Sequence, residues 1–240
     1  MRRILLLLLV LSFGFGIPEI AGADQIFGAS QDSLSASVAF EISGENLVVT
    51  LTNTSSADVS VPRNVLTAVF FTTPDASMLS PISAIIAPGS TILYSLLPPP
   101  ASGNVGGEWA FKYGSAPYSA NAGIGSAGLD FFGAANFNGV NLTGNNNGAV
   151  QGLDWGITSA GDDLSTGNPN IKSTPLIKNS VVFTLGIPEG FSLDDITNVT
   201  FQYGTDLSEP HLAVPEPATM FLLGSGLIGI GVFVRRRFKK

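Results

Sequence analysis

Carboxylates carry most of the chemical capacity of this chain. Eighteen Asp and Glu stand against one histidine, His211, and no cysteine. Two acids suffice for glycoside hydrolysis, one protonating the leaving oxygen while the other acts as base or nucleophile. Glu108 beside Trp109 and Asp154 beside Trp155 place such acids next to an indole able to stack on a sugar. Asp154, Asp162 and Asp163, with Asn168 and Asn170 close by, put hard oxygen donors in loop-forming sequence. Calcium takes that donor type, although no EF-hand spacing is present. A Ser-His-Asp triad needs its histidine inside a folded pocket, and His211 falls in a stretch, 206–213, that reads as a polar leash. Without cysteine there is no thiol nucleophile and no Cys-bearing zinc site. Gly123 to Gly128 and Gly224 to Gly229 both fit G-x-G-x-x-G, but neither lies between a strand and a helix, the context that aims a helix N-terminus at a pyrophosphate. The expected cofactor set is therefore empty, with calcium as the one ion the donors suit, and no catalytic residue is assigned.

The ends of the chain differ sharply from its middle. Seven of 11 Lys and Arg lie at the two termini, while 16 of 18 acids lie in residues 24–213, leaving that stretch near −12. A domain so acidic is unsuited to nucleic acid, which is held by Lys and Arg against phosphates. Arg2 and Arg3, the apolar run Ile4 to Ile17, and Ala21-Gly22-Ala23 before Asp24 have the order of a secretory signal, with Ala21 and Ala23 as the small residues of a cleavage site. Signal peptidase and the export machinery are the partners this implies. Export permits disulfides, yet none can form, so the domain must be held by core burial, for which about 190 residues suffice.

At the other end, Val214-Pro215-Glu216-Pro217 precedes an uncharged apolar run, Ala218 to Val234, and then Arg235, Arg236, Arg237, Phe238, Lys239 and Lys240. A bilayer core needs about 20 mainly apolar residues in a helix, so residues 218–234 form a short candidate membrane span. The basic cluster that follows keeps its end cytoplasmic by the positive-inside bias. Two prolines cannot continue a helix upstream and mark its start. This order of features resembles the PEP-CTERM sorting signal of bacterial surface proteins. Val214, Pro215, Glu216 and Pro217 match that signal's motif residue by residue. The resemblance implies recognition and processing by an exosortase, a membrane-embedded cysteine-type transpeptidase, of which this chain would be the substrate. It also implies display at the cell surface or in an extracellular polysaccharide matrix, after initial anchoring in the inner membrane by the single C-terminal span.

Between these ends, apolar residues recur with period two, the mark of half-buried strands. Val38, Phe40 and Ile42 share a face, as do Leu47, Val49 and Leu51, with Gly44-Glu45-Asn46 as a hairpin loop. Residues 65–72 are apolar on both faces and predict a central covered strand. Residues 91–96 and 108–113 predict strands, the latter placing Trp109, Phe111 and Tyr113 on one face. Residues 114–175 are rich in Gly, Asn, Ser and Ala and predict long loops. Val181, Phe183, Leu185 and then Val199, Phe201, Tyr203 close the pattern. Short strands, Gly/Pro turns and no long helix point to one all-β domain, a β-sandwich over residues 24–213 with long Gly/Asn-rich loops. Asn64 to Phe71, Gly106 to Ala110 and Phe201 to Thr205 resemble loosely a group of exosortase-dependent surface proteins, to which no activity is attached.

The expectation is an exported, non-enzymatic surface or matrix protein, sorted through residues 214–240. A polysaccharide-binding module using Trp109 or Trp155, and a plain tail-anchored envelope protein, are the alternatives.

Overall fold

The structure is a computed structural model that describes residues 24–95, 100–133, 135–142, 150, 152–166 and 169–215. The signal sequence with Ala21 and Ala23, the motif residues Glu216 and Pro217, the apolar run 218–234 and the basic cluster all lie outside the described residues. Among the described residues no helix is long and apolar enough to cross a membrane. Helix is limited there to α1 (Pro169–Lys172) and single 3-10 turns.

Among the described residues, thirteen strands form two sheets. The first is antiparallel throughout, in the order β1 (Gln25–Gln31), β2 (Leu34–Ser43), β3 (Asn46–Asn53), β11 (Ser180–Gly186), β5 (Ser80–Ile86). The second runs β13 (His211–Ala213), β12 (Thr197–Tyr203), β4 (Leu66–Thr72), β9 (Ile157–Thr158), β10 (Leu176–Lys178), β6 (Thr91–Leu93). Beside β4 the edge is shared, because β8 (Ala122–Gly125) pairs with Ala68 to Phe71 and carries β7 (Ala110–Tyr113) on its far side.

Alternation explains which faces meet. Val38 and Phe40 on β2, Leu47, Val49 and Leu51 on β3, and Val181, Phe183 and Leu185 on β11 point inward. Leu66, Val69 and Phe71 on β4, Phe111, Ile124, Phe201 and Tyr203 answer them from the second sheet in one buried cluster. Phe40 meets Phe71 edge-on at 5.3 Å, and Trp109 meets Phe183 at 4.9 Å, so aromatic pairs join the two layers. The predicted central strand is covered on both sides, as its two-faced apolarity requires. Ala68 and Phe70 on the outer face of β4 pack beneath Leu129, Phe131 and Phe132.

Residues 114–133, part of the stretch expected as long loops, thus supply a second apolar layer. The glycines of the Gly123 to Gly128 motif have their physical role here. A Cβ on Gly123 would sit 2.7 Å from the Phe70 ring, and one on Gly125 would fall on the ring of Phe132, which stacks on Phe70 at 5.6 Å. The spacing makes room for two rings, not for a phosphate.

Several expectations are revised. β1 carries no clear apolar run and was not legible; its 68% exposed Ile26 lies on the outer side of an edge strand. Pro81 lies within β5. It faces Leu185 beside a register shift, at a sheet margin where a missing N–H is tolerated. Strand β7 starts at Ala110, two residues later than expected, and Tyr113 turns out to solvent. β6 ends at Leu93.

Candidate functional site

The stretch leading to Val214 is built into the sheet. β13 pairs with β12 in the register Thr200↔Ala213, Phe201↔Leu212 and Gln202↔His211. Alternation sends Leu212 into the core while His211 and Ala213 face out. The expected leash over 206–213 is instead a closed turn followed by this strand. Glu209 accepts from the main-chain N–H groups of Thr205 and Asp206, and Asp206 Oδ1 accepts from the Ser208 N–H at 2.8 Å. Tyr203 N–H donates to the Pro210 carbonyl at 3.0 Å. These bonds satisfy the turn internally, so the chain reverses and pairs rather than hanging free.

The anchoring continues into the motif. Val214 N–H donates to the Val199 carbonyl at 2.9 Å, and the Val214 side chain packs, half-buried, against the main core. Pro215 is exposed. A shallow groove runs along this exit, walled by Ala29 and Ser30 of β1, Ser35 and Ser37 of β2, and Ala213 with Pro215. β1 and β13, the edge strands of the two sheets, therefore lie side by side. Asp24, the expected first mature residue, leads directly into β1 on that flank.

His211 stacks on Tyr118 at 4.5 Å, and the Tyr118 hydroxyl donates to Gln202 Oε1. Gln202 Nε2 in turn donates to the Asp206 carbonyl at 3.0 Å. The single histidine thus fastens the exit strand to the 114–121 loop. Burial is the first cause, and Asp206 the second, that push the Tyr118 phenol above its ordinary value.

Among the described residues, the predicted tryptophans and acids lie apart from this exit. Trp109 and Trp155 are both fully buried, in the main core. Neither offers a ring face to solvent, which speaks against these indoles as a glycan platform. An aromatic at strand spacing is ambiguous between core and platform until the opposite layer is known, and here β11 covers Trp109 through Phe183. Glu108 is buried as well and accepts from the Leu142 N–H, while Asn136 Nδ2 donates to the Gly107 carbonyl at 2.7 Å. Its carboxylate pins the 136–142 segment to the start of β7.

Of the three acids expected as oxygen donors, Asp154 is half-buried, Asp162 buried and Asp163 exposed. Asp163 turns its carboxylate onto the N–H and hydroxyl of Ser165, at 2.9 and 2.8 Å. Asp162 instead faces Asp58, an acid too distant in the chain for any local spacing to link the two. Thr166 first, and then the Asp163 N–H, hold the Asp58 carboxyl below its ordinary range, whereas burial first and then Asp58 push Asp162 above its own. Among the described residues no three His, Asp or Glu side chains converge as metal ligands.

Residues 213–237 match the PEP-CTERM protein-sorting motif. No curated protein and no solved structure matches the chain. The chain therefore carries this sorting motif, and the match starts at Ala213, the last residue of β13.

Proposed function

We propose that this chain is a non-catalytic exported surface protein, delivered as substrate to an exosortase that acts at the Val214 to Pro217 motif. The observation that carries the reading is the sorting-motif match over residues 213–237, joined without a spacer to a folded all-β domain. Val214 and Pro215 form the rim of that domain, and Glu216 and Pro217 continue from it toward the apolar run. In this reading a signal peptide ends before Asp24, residues 218–234 hold the protein in the inner membrane, and the basic cluster stays cytoplasmic. The mature domain then passes to the cell surface or to an extracellular polysaccharide matrix.

The non-catalytic reading is supported by what the acids and the histidine do. Glu108 secures a main-chain segment, and His211 stacks on Tyr118 at the exit strand. The burial of Trp109 and Trp155 favours a displayed domain over a sugar-binding one.

Mass spectrometry of the mature C-terminus, on protein recovered from its host, tests the proposal. An end within or beside Val214 to Pro217 is expected. Intact Lys240 would leave a tail-anchored envelope protein and overturn the processing step.

A further inference from the structure

We propose that the junction of the 55–59 loop with residues 158–163 is a binding site for a divalent cation of the calcium class, with Asp58, Asp162 and Thr158 as its side-chain ligands. The proposal is independent of the sorting function.

The junction is a built structure. A Cβ on Gly161 would collide with the carbonyl of Ser56, so the two segments meet at main-chain contact. Ser159 Oγ donates to the Ala57 carbonyl, and the Val59 N–H donates to Asp162 Oδ1 at 3.1 Å. Asp163 N–H donates to Asp58 Oδ1 at 2.8 Å, and Thr166 Oγ1 donates to Asp58 Oδ2. Bonds in both directions across the junction hold Asp58 and Asp162 together, although charge alone would drive them apart.

What the junction leaves undone points to a ligand. Asp162 is only 3% exposed, and its Oδ2 is buried with no hydrogen-bond partner. Thr158 is fully buried beside it and turns its hydroxyl toward the Asp162 carboxyl, yet neither that hydroxyl nor Asp162 Oδ2 makes a well-formed hydrogen bond. The Tyr94 hydroxyl, buried and without a partner, feels the charges of Asp58, Asp162 and Asp163. The two lysines nearby are turned to main-chain oxygens: Lys178 Nζ donates to the Asp162 carbonyl at 2.9 Å, and Lys172 Nζ to the Ser165 carbonyl at 3.2 Å.

A buried carboxylate oxygen with neither proton nor cation is costly. Two carboxylates with a neutral hydroxyl, completed by water, are the hard oxygen donors calcium accepts at flexible geometry. Magnesium demands near-ideal octahedral order and yields its water reluctantly. With only two carboxylates the site belongs to the weak extracellular class, for which Kd is on the order of 0.1–1 mM. The competing way to neutralise the pair is a proton shared between Asp58 and Asp162.

The test uses the full chain in detergent, stripped with EDTA and titrated with calcium or magnesium chloride by calorimetry and thermal unfolding. Calcium at tenfold its Kd is expected to raise Tm by about 3–6 °C, with a smaller rise for magnesium. Asp162→Asn and Asp58→Asn should each abolish the calcium shift, while Asp163→Asn should keep it. Circular dichroism checks folding, and the wild-type calorimetry stands even if a variant fails to fold. No heat and no Tm shift with calcium would overturn the proposal, as would a shift that survives Asp162→Asn. A Tm that responds to acid but not to calcium would assign the pair to a shared proton instead.

Discussion

Val214 N–H donates to the Val199 carbonyl at 2.9 Å, so the β-sheet's main-chain bonding reaches into the residues of the sorting motif. The exit from the domain is therefore an edge strand held by a few main-chain bonds and one buried side chain, Leu212.

Leu212→Ala should release that strand. Truncating a buried leucine costs about 2–5 kcal/mol, and an edge position lies at the lower end. The expected result is a lower Tm together with faster proteolysis between Gly204 and Pro215, read by limited digestion and mass spectrometry. Unchanged cleavage in that segment would show that β13 contributes little to the anchoring.

Tyr203 sits on β12, fully buried, with no partner for its hydroxyl, and burial raises its phenol pKa far above the ordinary value. An unsatisfied buried hydroxyl costs on the order of 1–3 kcal/mol. Tyr203→Phe is therefore expected to stabilise the domain by about 1 kcal/mol in urea unfolding, without a change in the slope.

Gly125→Ala should place a methyl on the Phe132 ring, costing about 1–3 kcal/mol through overpacking. Phe132→Leu in the same chain should recover part of that loss. Unfolding of the two single variants and the double variant gives the coupling, and strict additivity would show that the two sites do not share the space.

The Asp58 and Asp162 carboxyls have opposite pH signatures. Asp58 is depressed, so its contribution is present above the ordinary aspartate value and lost as pH falls through its folded value. Asp162 is raised, so its contribution is present at low pH and lost as pH rises from the ordinary aspartate value through its folded one. Asp163, Tyr94, Lys172 and Lys178 face the same junction and set the background. In EDTA, wild type should lose more stability than Asp162→Asn as pH rises from that acidic range toward neutrality, measured by thermal unfolding across pH.

Iodide should quench the emission of Trp109 and Trp155 weakly, since both rings are fully buried. Soluble polysaccharides should leave the emission unchanged. Strong quenching of the folded protein would reopen these indoles as contact residues.

The strands that alternate cleanly were legible. Phe40, Val49, Phe183 and Phe201 each lie inward where period two puts them, because a strand packed on one side must sort its residues by face. β1 was not, since Ile26, Phe27 and Gly28 have no such contrast, and its strand state comes from pairing with β2. β13 was hidden for a different reason. Three residues among Pro, Ser and Glu carry no propensity signal, and only the waiting edge of β12 makes them a strand.

By itself, the sequence determined the charge separation, the absence of thiol chemistry, the order of the sorting motif, apolar run and basic cluster, and the all-β class. These follow from composition and local order, which need no partner segment. Tertiary structure decided the rest. It buried Trp109 and Trp155, set Asp58 against Asp162 across about a hundred residues, and docked Val214 on Val199. Each of these depends on which distant segment supplies the opposite face, the second carboxylate or the free strand edge, and no local pattern encodes that.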